Sequence, residues 1–415
     1  MKVALVSPYD HSVPGGVGKH IDALRSHMQR KGHEVRIIAP GVDDGVQEDR
    51  QGVYRIGRVT PVPGNGSVAR ITLSVPFGTR LAHRVRQVLD AEKFDVLHVH
   101  EPLMPTLPLA VLMARATGAI KVGTFHAFRE SYYGYYYGRP ILRRVVNKLD
   151  GRIAVSQSAY EFVSRYFAGV YSIIPNGVDL DLFNDRVAPI DRYVDGRPTV
   201  LFVGRIEKRK GLAYLIRAYS DLRNAIPNVR IVVVGRQGRA ARGYKEYVRE
   251  HNLSGIEFVG EVSQRELPCY YKSCDVFCAP ALSGESFGMV LLEAMAVGKP
   301  VVATRIDGYC QVVQDGVQGR LVAPRDSVGL AGALGELLLS PHERRRCGER
   351  GRVTAESFSW DRVSARVIRF YHDVRQGNVA NDAEWASPLD APSTWFAAPC
   401  ESVPEPVNLS QGVVH

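Results

Sequence analysis

Two carboxylates with seven residues between them, Glu285 and Glu293, close the two ends of Glu285-Ser286-Phe287-Gly288-Met289-Val290-Leu291-Leu292-Glu293. Gly284 and Gly288 allow a tight backbone and close approach to a ligand. The apolar run 289–296, stopped by Gly298-Lys299-Pro300, predicts a helix. Glu285 is then expected just before the helix N-terminus and Glu293 about two turns on, on the same side. Free N–H groups at such a terminus favour an anion, for example a diphosphate. The pair would bracket a nucleotide-sugar, with carboxylates bonding its hydroxyls. A capped surface helix with incidental acids is the plainer alternative.

Basic residues supply what the acids lack. Arg205 and Lys210 fall in Gly204-Arg205-Ile206-Glu207-Lys208-Arg209-Lys210-Gly211, between a strand at 199–204 and a helix from Leu212. Both can reach a diphosphate, and arginine can do so bidentately. Glu261 sits in a strand-end loop able to face a base. His126 closes the strand 120–125, at the end where open α/β sheets place their ligands. It would bond a sugar hydroxyl or fill a structural role. Asp179-Leu180-Asp181 has a spacing some transferases use for a metal, but it follows an Asn-Gly turn at a domain edge, and no metal ligand is assigned. Cys269, Cys274 and Cys278 lack the second knuckle of a zinc site and read as small, reduced, buried residues.

The elements that must hold these residues form a repeated pattern. A strand at 3–7, a glycine loop through Gly15, Gly16 and Gly18, a helix at 19–31 and a strand at 34–40 open a doubly wound nucleotide-binding unit. The loop is neither a Walker A nor a GxGxxG motif; it offers backbone N–H groups at a helix start. The same strand–loop–helix opening returns at Thr199. Domains are expected at 1–183 and 199–356, joined by a polar linker at 184–198, with a final helix at 357–376 and a disordered tail at 377–415. Residues 53–60 read as a strand or hairpin, 61–67 as a loop, and 132–138 as an aromatic loop of five tyrosines with the character of a sugar-stacking or interfacial surface. The helix at 79–91 carries Arg80, Arg84 and Arg86 opposite an apolar side, as membrane-surface helices do.

The chain of 415 residues has 53 basic and 43 acidic residues, a net charge of +10 and 45% hydrophobic residues. That is an ordinary globular mix suited to anionic partners: nucleotide diphosphates, acidic membranes or nucleic acid. The first residues are too soon punctuated for a signal peptide, and the most apolar window, 103–120, contains Arg115 and prolines. A cytoplasmic protein held peripherally at the inner membrane face is expected.

Taken together, Pro14-Gly15-Gly16-Val17, His98-Val99-His100-Glu101-Pro102, Phe125-His126, Ile174-Pro175-Asn176-Gly177-Val178-Asp179, Gly204-Arg205…Lys210-Gly211 and Gly284-Glu285-Ser286-Phe287-Gly288…Glu293 resemble the GT-B glycosyltransferases of family 4, the retaining group marked by Glu-x7-Glu. The likeness spans residues 1–376. It implies two Rossmann-like α/β domains facing a cleft, with the C-terminal helix crossing back to the first. It implies a nucleotide-diphosphate sugar donor held by Gly15, Gly16, Arg205, Lys210, Glu261, Glu285, Phe287, Gly288 and Glu293. Within that set Arg205 and Lys210 would bind phosphate, Glu285 the sugar and Glu293 the ribose, with His126 near the reacting carbon. The catalytic set is then His126, Arg205, Lys210 and Glu285, with no obligatory metal or cofactor. Members that mannosylate phosphatidylinositol share Asn65-Gly66-Ser67-Val68-Ala69-Arg70, which implies GDP-mannose as donor and an acceptor site at Tyr9, Asn65, Arg70 and Arg129. Those members carry a Thr and a Lys after the Phe-His strand end, where this chain has Ala127-Phe128-Arg129. The acceptor stays open between an inositol lipid, another lipid-linked sugar and a soluble polyol.

Two rivals remain. A nucleotide-sugar 2-epimerase of the same fold would convert donor alone. A non-catalytic binder of membrane or nucleic acid would show steep salt dependence and ignore nucleotide-sugars. The paired acids oppose a polyanion in the cleft, so no nucleic-acid partner is expected.

Overall fold

The computed structural model describes residues 1–13, 15–41, 46–49, 52–64, 67–72, 80–105, 107–115, 118–127 and 133–378. The first half of the chain runs β1 (Lys2–Val6), α1 (Gly16–Arg30), β2 (Glu34–Gly41), β3 (Val46–Glu48), β4 (Val53–Gly64), β5 (Ser67–Thr72), α2 (Arg80–Glu92), β6 (Val96–His100), α3 (Leu107–Met113), β7 (Ile120–Phe125), α4 (Tyr133–Val146), β8 (Gly151–Ala154), α5 (Gln157–Ser164) and β9 (Ser172–Ile173). Its strands form one sheet in the order β3-β4-β2-β1-β6-β7-β8-β9, with β5 paired to β4. All its pairings are parallel except those of β4 with β3 and β5. Strands such as β1 and β6 are buried along almost their whole length, as parallel strands covered on both faces must be.

The second half repeats the plan: β10 (Thr199–Val203), α6 (Leu212–Ala225), β11 (Arg230–Val234), α7 (Arg239–Glu250), β12 (Ile256–Gly260), α8 (Leu267–Ser273), β13 (Val276–Ala279), α9 (Met289–Ala296), β14 (Val301–Thr304), α10 (Asp307–Cys310), β15 (Gly319–Val322), α11 (Ser327–Leu339), α12 (Pro341–Ser357) and α13 (Trp360–Gln376). Its six-stranded parallel sheet has the order β12-β11-β10-β13-β14-β15. The chain winds outward from β10 in one direction and then, from β13, in the other. That reversal opens a crevice beyond the carboxyl ends of β10 and β13, where doubly wound folds bind ligands. Each domain is a Rossmann-like α/β unit, as expected.

The last helix crosses back. Trp360, Val363, Val367, Phe370 and Tyr371 of α13 share a buried cluster with β1, β2 and α1 of the first sheet. A Cβ on Gly151 would stand 2.6 Å from Val374 Cγ2, so α13 lies directly on the start of β8. Ser359 caps α13 by accepting from Arg362 N–H. The two chain crossings run side by side: Val178 N–H donates to Phe358 O (2.9 Å) and Trp360 N–H to Val178 O (3.2 Å). Elsewhere the domains meet through Gln311, whose side chain accepts from Gln157 N–H (2.8 Å) and donates to Ser158 Oγ (2.8 Å) at the start of α5.

Two segments differ from expectation. Residues 61–64 and Ser67, expected in a loop, belong to the paired strands β4 and β5; Pro61 and Pro63 are tolerated because this part of β4 pairs only with β5 among the described residues. Tyr133 onward is helix, not loop: Gly134 and Gly138 disguise a 3.6-residue pattern that buries Tyr135, Val145 and Val146. The polar segment 184–198 packs on the second domain, with Tyr193 buried and Arg230 bonded to Asp195. Cys310 is disulfide-bonded, whereas Cys269, Cys274, Cys278 and Cys347 are free thiols. Residues 379–415, most of the expected tail, lie outside the described residues. Among the described residues, no helix is long and apolar enough to cross a membrane.

One glycine tests how tightly the second switch point is built. Gly211 has φ +71°, and a Cβ there would stand 1.7 Å from Pro280 O, across the crevice between β10 and β13. Gly196 has φ +76° but nothing within 4 Å. Gly211→Ala is expected to cost about 3 kcal/mol or more, and Gly196→Ala about 1–2 kcal/mol, in urea unfolding. Equal costs would show that the loops do not abut.

Candidate active site

The second-domain part of the candidate site is built where the second sheet reverses. The loop after β10 turns through Lys208–Lys210 as one 3-10 turn and ends on Gly211 in the left-handed region. The loop after β13 carries Glu285. They are tied by Leu282 N–H donating to Arg209 O (2.8 Å). Across this junction the Glu285 carboxylate pairs with Lys210 Nζ at 2.7 Å and with the Arg209 guanidinium. Arg209 also bonds Glu207 at 3.0 Å. Burial alone would raise the Glu285 pKa, but Lys210 and then Arg209 outweigh it and hold it below the usual carboxylate range. Arg205 is half-exposed and pairs with Glu207 at 3.2 Å. The loop therefore presents four cations, Arg205, Lys208, Arg209 and Lys210, against two carboxylates, an excess that suits a diphosphate.

Gly288 starts α9 with φ +92°. A Cβ at this position would meet Tyr309 Cδ1 at 2.8 Å, so glycine is required there. A Cβ on Gly308 would meet Glu285 O at 2.0 Å, so α10 supports the Glu285 loop from behind. The helix begins only at Met289, after this left-handed turn. Glu293 therefore lies one turn into α9, and Glu285 is set by the loop rather than by helical periodicity. Glu293 is buried, and its Oε2 accepts from Tyr271 Oη at 2.8 Å. Burial raises its pKa, against smaller opposing effects of Lys19 and Tyr271. Glu293 and Met289 line a cleft of about 270 Å³ whose far wall is Lys19, Asp22 and His27 of α1, with Asp179 and Trp360 at its floor. The cleft thus joins the two domains.

The first domain contributes helix N–H groups and a histidine cluster. Gly15 caps α1 with extended backbone and no side-chain acceptor, leaving first-turn N–H groups free of a side-chain cap. A Cβ on Gly15 or Gly16 would meet nothing within 4 Å, so the approach to this terminus is open. Beneath it, His98 bonds Tyr371 Oη and Thr124 Oγ1, both at 2.6 Å, and His20 Nδ1 bonds Asn176 Oδ1 at 2.7 Å. His100 Nδ1 faces His126 Nε2 at 2.9 Å, and Glu101 Oε1 accepts from His126 N–H at 2.7 Å. Burial pushes His20 down to about 4 and His98 to about 3, and puts His100 and His126 well below the ordinary imidazole value. His126 is partly exposed and neutral, a hydrogen-bonding group rather than a cation or proton donor at neutral pH. Ligand atoms of His20, His100 and His126 lie within 4.8 Å of one another, and His100 Nε2 has no hydrogen-bond partner among the described residues. The direct His100–His126 bond uses Nδ1 of His100 and Nε2 of His126 and leaves the other nitrogen of each ring.

The structure thus joins Glu285 with Lys210, and Glu293 with the α1 wall. Glu261 is exposed at the end of β12. The Phe287 side chain is buried against Phe358, which leaves its backbone as the part able to face a ligand. Tyr9 is partly exposed beyond β1, braced by Ser7. Arg70 lies in β5 opposite Pro61. Asn65 and Arg129 lie outside the described residues. Arg80 and Arg86 are exposed on α2 and Arg84 is partly exposed. The sequence reading missed Arg209, hidden in a basic run, and Tyr271, Lys19 and His20, which carry no local signal.

Similarity to known proteins identifies the class. Residues 14–182 match the model described as Glycosyltransferase Family 4, and residues 189–354 the model described as Glycosyl transferases group 1. The chain is 38% identical to the phosphatidyl-myo-inositol mannosyltransferase of Mycolicibacterium smegmatis, over 94% of this chain and 98% of that protein. It is 29% identical to a GDP-mannose-dependent alpha-(1-6)-phosphatidylinositol monomannoside mannosyltransferase of the same organism, over 88% and 97%. Its fold matches a sucrose-phosphate synthase of Thermosynechococcus elongatus with a TM-score of 0.73 at 22% identity, over 91% of this chain and 99% of that one. The chain belongs to the GT-B glycosyltransferases of family 4. It is similar, within that family, to the phosphatidyl-myo-inositol mannosyltransferases.

Two outcomes follow from the buried titratable groups. The unfolded chain takes up histidine protons from pH 6.5 downward, but the folded chain resists until about 4 at His20 and about 3 at His98. Stability is therefore expected to fall with acidification across that window, by about 1.4 kcal/mol per pH unit for each fully coupled histidine. Urea midpoints that stay flat from pH 7 to pH 5 would show the cluster to be solvated. For Glu293 the sign reverses: its raised pKa makes the ionised side chain a destabilising element as pH rises. Glu293→Gln is expected to melt higher than wild type at pH 8, by about 2–4 °C per kcal/mol recovered, with the gain vanishing in acid. A lower melting point at pH 8 would overturn that assignment.

Proposed function

We propose that this glycosyltransferase moves mannose from GDP-mannose to a hydroxyl of an inositol-phosphate lipid headgroup, with retention of configuration. The observation that carries the reading is the Glu285–Lys210–Arg209 cluster at the switch point, on the same domain as Glu293, which lines an inter-domain cleft whose opposite wall is α1. The names of the similar mannosyltransferases favour mannose, GDP and an inositol lipid.

In this reading the donor diphosphate enters between the β10 loop and the amino end of α1. Lys210, Arg209 and Arg205 take the charge that develops on the leaving diphosphate. Diphosphate draws Lys210 and Arg209 away from Glu285, which frees that carboxylate to accept hydroxyl hydrogen bonds from the sugar. Glu293 accepts from the ribose. His126, neutral and partly exposed, bonds the transferred sugar near the reacting carbon. The acceptor hydroxyl attacks from the face the leaving group departs, and its proton passes to the departing phosphate oxygen. Tyr9 and Arg70 lie on the first domain, where the headgroup would bind. The exposed cations Arg80 and Arg86, with Arg84, would hold α2 near an anionic bilayer at the inner membrane face. Closure about the paired crossings at Val178 and Phe358 would exclude water and limit donor hydrolysis. No step requires a metal.

Lys210→Ala is expected to lower kcat/KM about 10²–10³-fold while leaving the circular-dichroism spectrum unchanged. Unchanged turnover would remove Lys210 from the site. Pre-treatment with EDTA is expected to leave transfer intact; complete loss, restored by added metal, would refute the metal-free reading and point to the His20–His100–His126 trio. A thermal-shift panel should show the largest shift with GDP-mannose, through mass-action linkage. A larger shift with a UDP- or ADP-sugar would reassign the base, and epimer formation from donor alone would favour the epimerase.

A further inference from the structure

The helix α4 has two apolar faces, and only one is used. Tyr135, Val145 and Val146 pack inward on the first domain. On the opposite side Tyr133, Tyr136, Tyr137 and Ile141 are 75%, 68%, 76% and 65% exposed, four of the ten exposed large apolar residues among those described. Their spacing places them on one continuous outward stripe. Tyr133 and Tyr137 stack with ring centroids 6.5 Å apart, and Tyr136 meets Tyr137 edge-on at 5.2 Å. Exposed Arg139, Arg143 and Arg144 adjoin the stripe, and α4 holds no acidic residue.

A surface helix normally turns polar residues to water, so this stripe marks a docking surface. Tyrosine combines an apolar ring with a polar tip, and guanidinium groups snorkel toward phosphate; both belong at a membrane–water interface. The charge of the helix selects an anionic partner. Its place in the fold agrees: α2, α3 and α4 share one buried cluster and so lie in one layer on one face of the first sheet. The outward residues of α2 include Arg80, His83 and Arg86 but no large apolar side chain, so α2 offers charge without insertion.

We propose that the outward face of α4 is the apolar anchor of the enzyme on an anionic bilayer, with Tyr133, Tyr137 and Ile141 entering the interface and Arg139 and Arg143 bonding lipid phosphates. The proposal rests on the functional reading only in that a lipid acceptor gives such an anchor a purpose.

The test is co-sedimentation of the full chain with phosphatidylcholine/phosphatidylglycerol vesicles, in low and high salt, for wild type, Y133S/Y137S/I141S and R80Q/R84Q/R86Q. Wild type should bind and keep part of its binding in high salt. The α4 variant should bind about tenfold or more weakly, because each lost CH₂-sized contact contributes ~0.8 kcal/mol and 1.4 kcal/mol is tenfold. The α2 variant should lose only the salt-sensitive part. Thermal midpoint and GDP-mannose thermal shift should be unchanged in the α4 variant, which separates a membrane defect from a folding or donor defect. Vesicle binding by the α4 variant equal to wild type overturns the proposal. So does a wild type that ignores vesicles but self-associates or binds single-stranded nucleic acid through this face. A wild type that binds vesicles yet shows no shift with any nucleotide-sugar would leave the anchor standing and remove the functional reading.

Discussion

The candidate site on the second domain depends on one ion cluster: the Glu285 carboxylate held by Lys210 and Arg209 across the reversal of the second sheet. Parallel winding in two directions forces β10 and β13 to be neighbours with diverging connections. Their carboxyl-end loops then face each other at the switch point. The loops approach to backbone contact at Gly211 and Pro280, and Gly308 admits the Glu285 carbonyl from behind. Glycine at these two points is what lets a carboxylate and two cations meet in a largely buried position. Even with Glu285 paired, the cluster keeps an excess of positive charge; in the proposed reading a diphosphate takes up that excess and leaves the carboxylate to a sugar.

The buried polar groups of the cleft are retained at a cost. Glu293 is kept in a site that disfavours its charge, with one phenol as its hydrogen-bond partner. Four histidines are packed neutral beneath the first-domain wall, two of them tied to Tyr371, Thr124 and Asn176. The Tyr371 bond comes from α13, so the helix that crosses back also fixes the histidine layer of the first domain. The same chain crossing therefore serves as domain tether and as support for the His126 strand end.

Much of this was legible in the sequence. The repeated strand–glycine loop–helix opening gave both α/β units, because buried parallel strands and glycine turns leave strong local signals. Lys210 and Glu285 were legible because each sits in a switch-point loop of distinctive composition. Their mutual ion pair was not, since it joins loops 75 residues apart, and Arg209 was indistinguishable within a basic run. The periodicity argument for Glu285 failed at Gly288, where a left-handed residue interrupts the helix. Glycines hid α4, and prolines hid the β4–β5 pairing, because composition weighs more than tertiary context in a local reading. Tyr271 and His20 act only through contacts made by folding.

The most direct measurement of the central claim is calorimetric titration of GDP and GDP-mannose into wild type and Glu285→Gln. If the carboxylate competes with diphosphate for Lys210 and Arg209 and then bonds the sugar, the variant should bind GDP at least as tightly as wild type. It should also lose the extra affinity that wild type shows for GDP-mannose, together with transfer. Equal weakening of both ligands in the variant, or a wild type indifferent to GDP, would contradict the account.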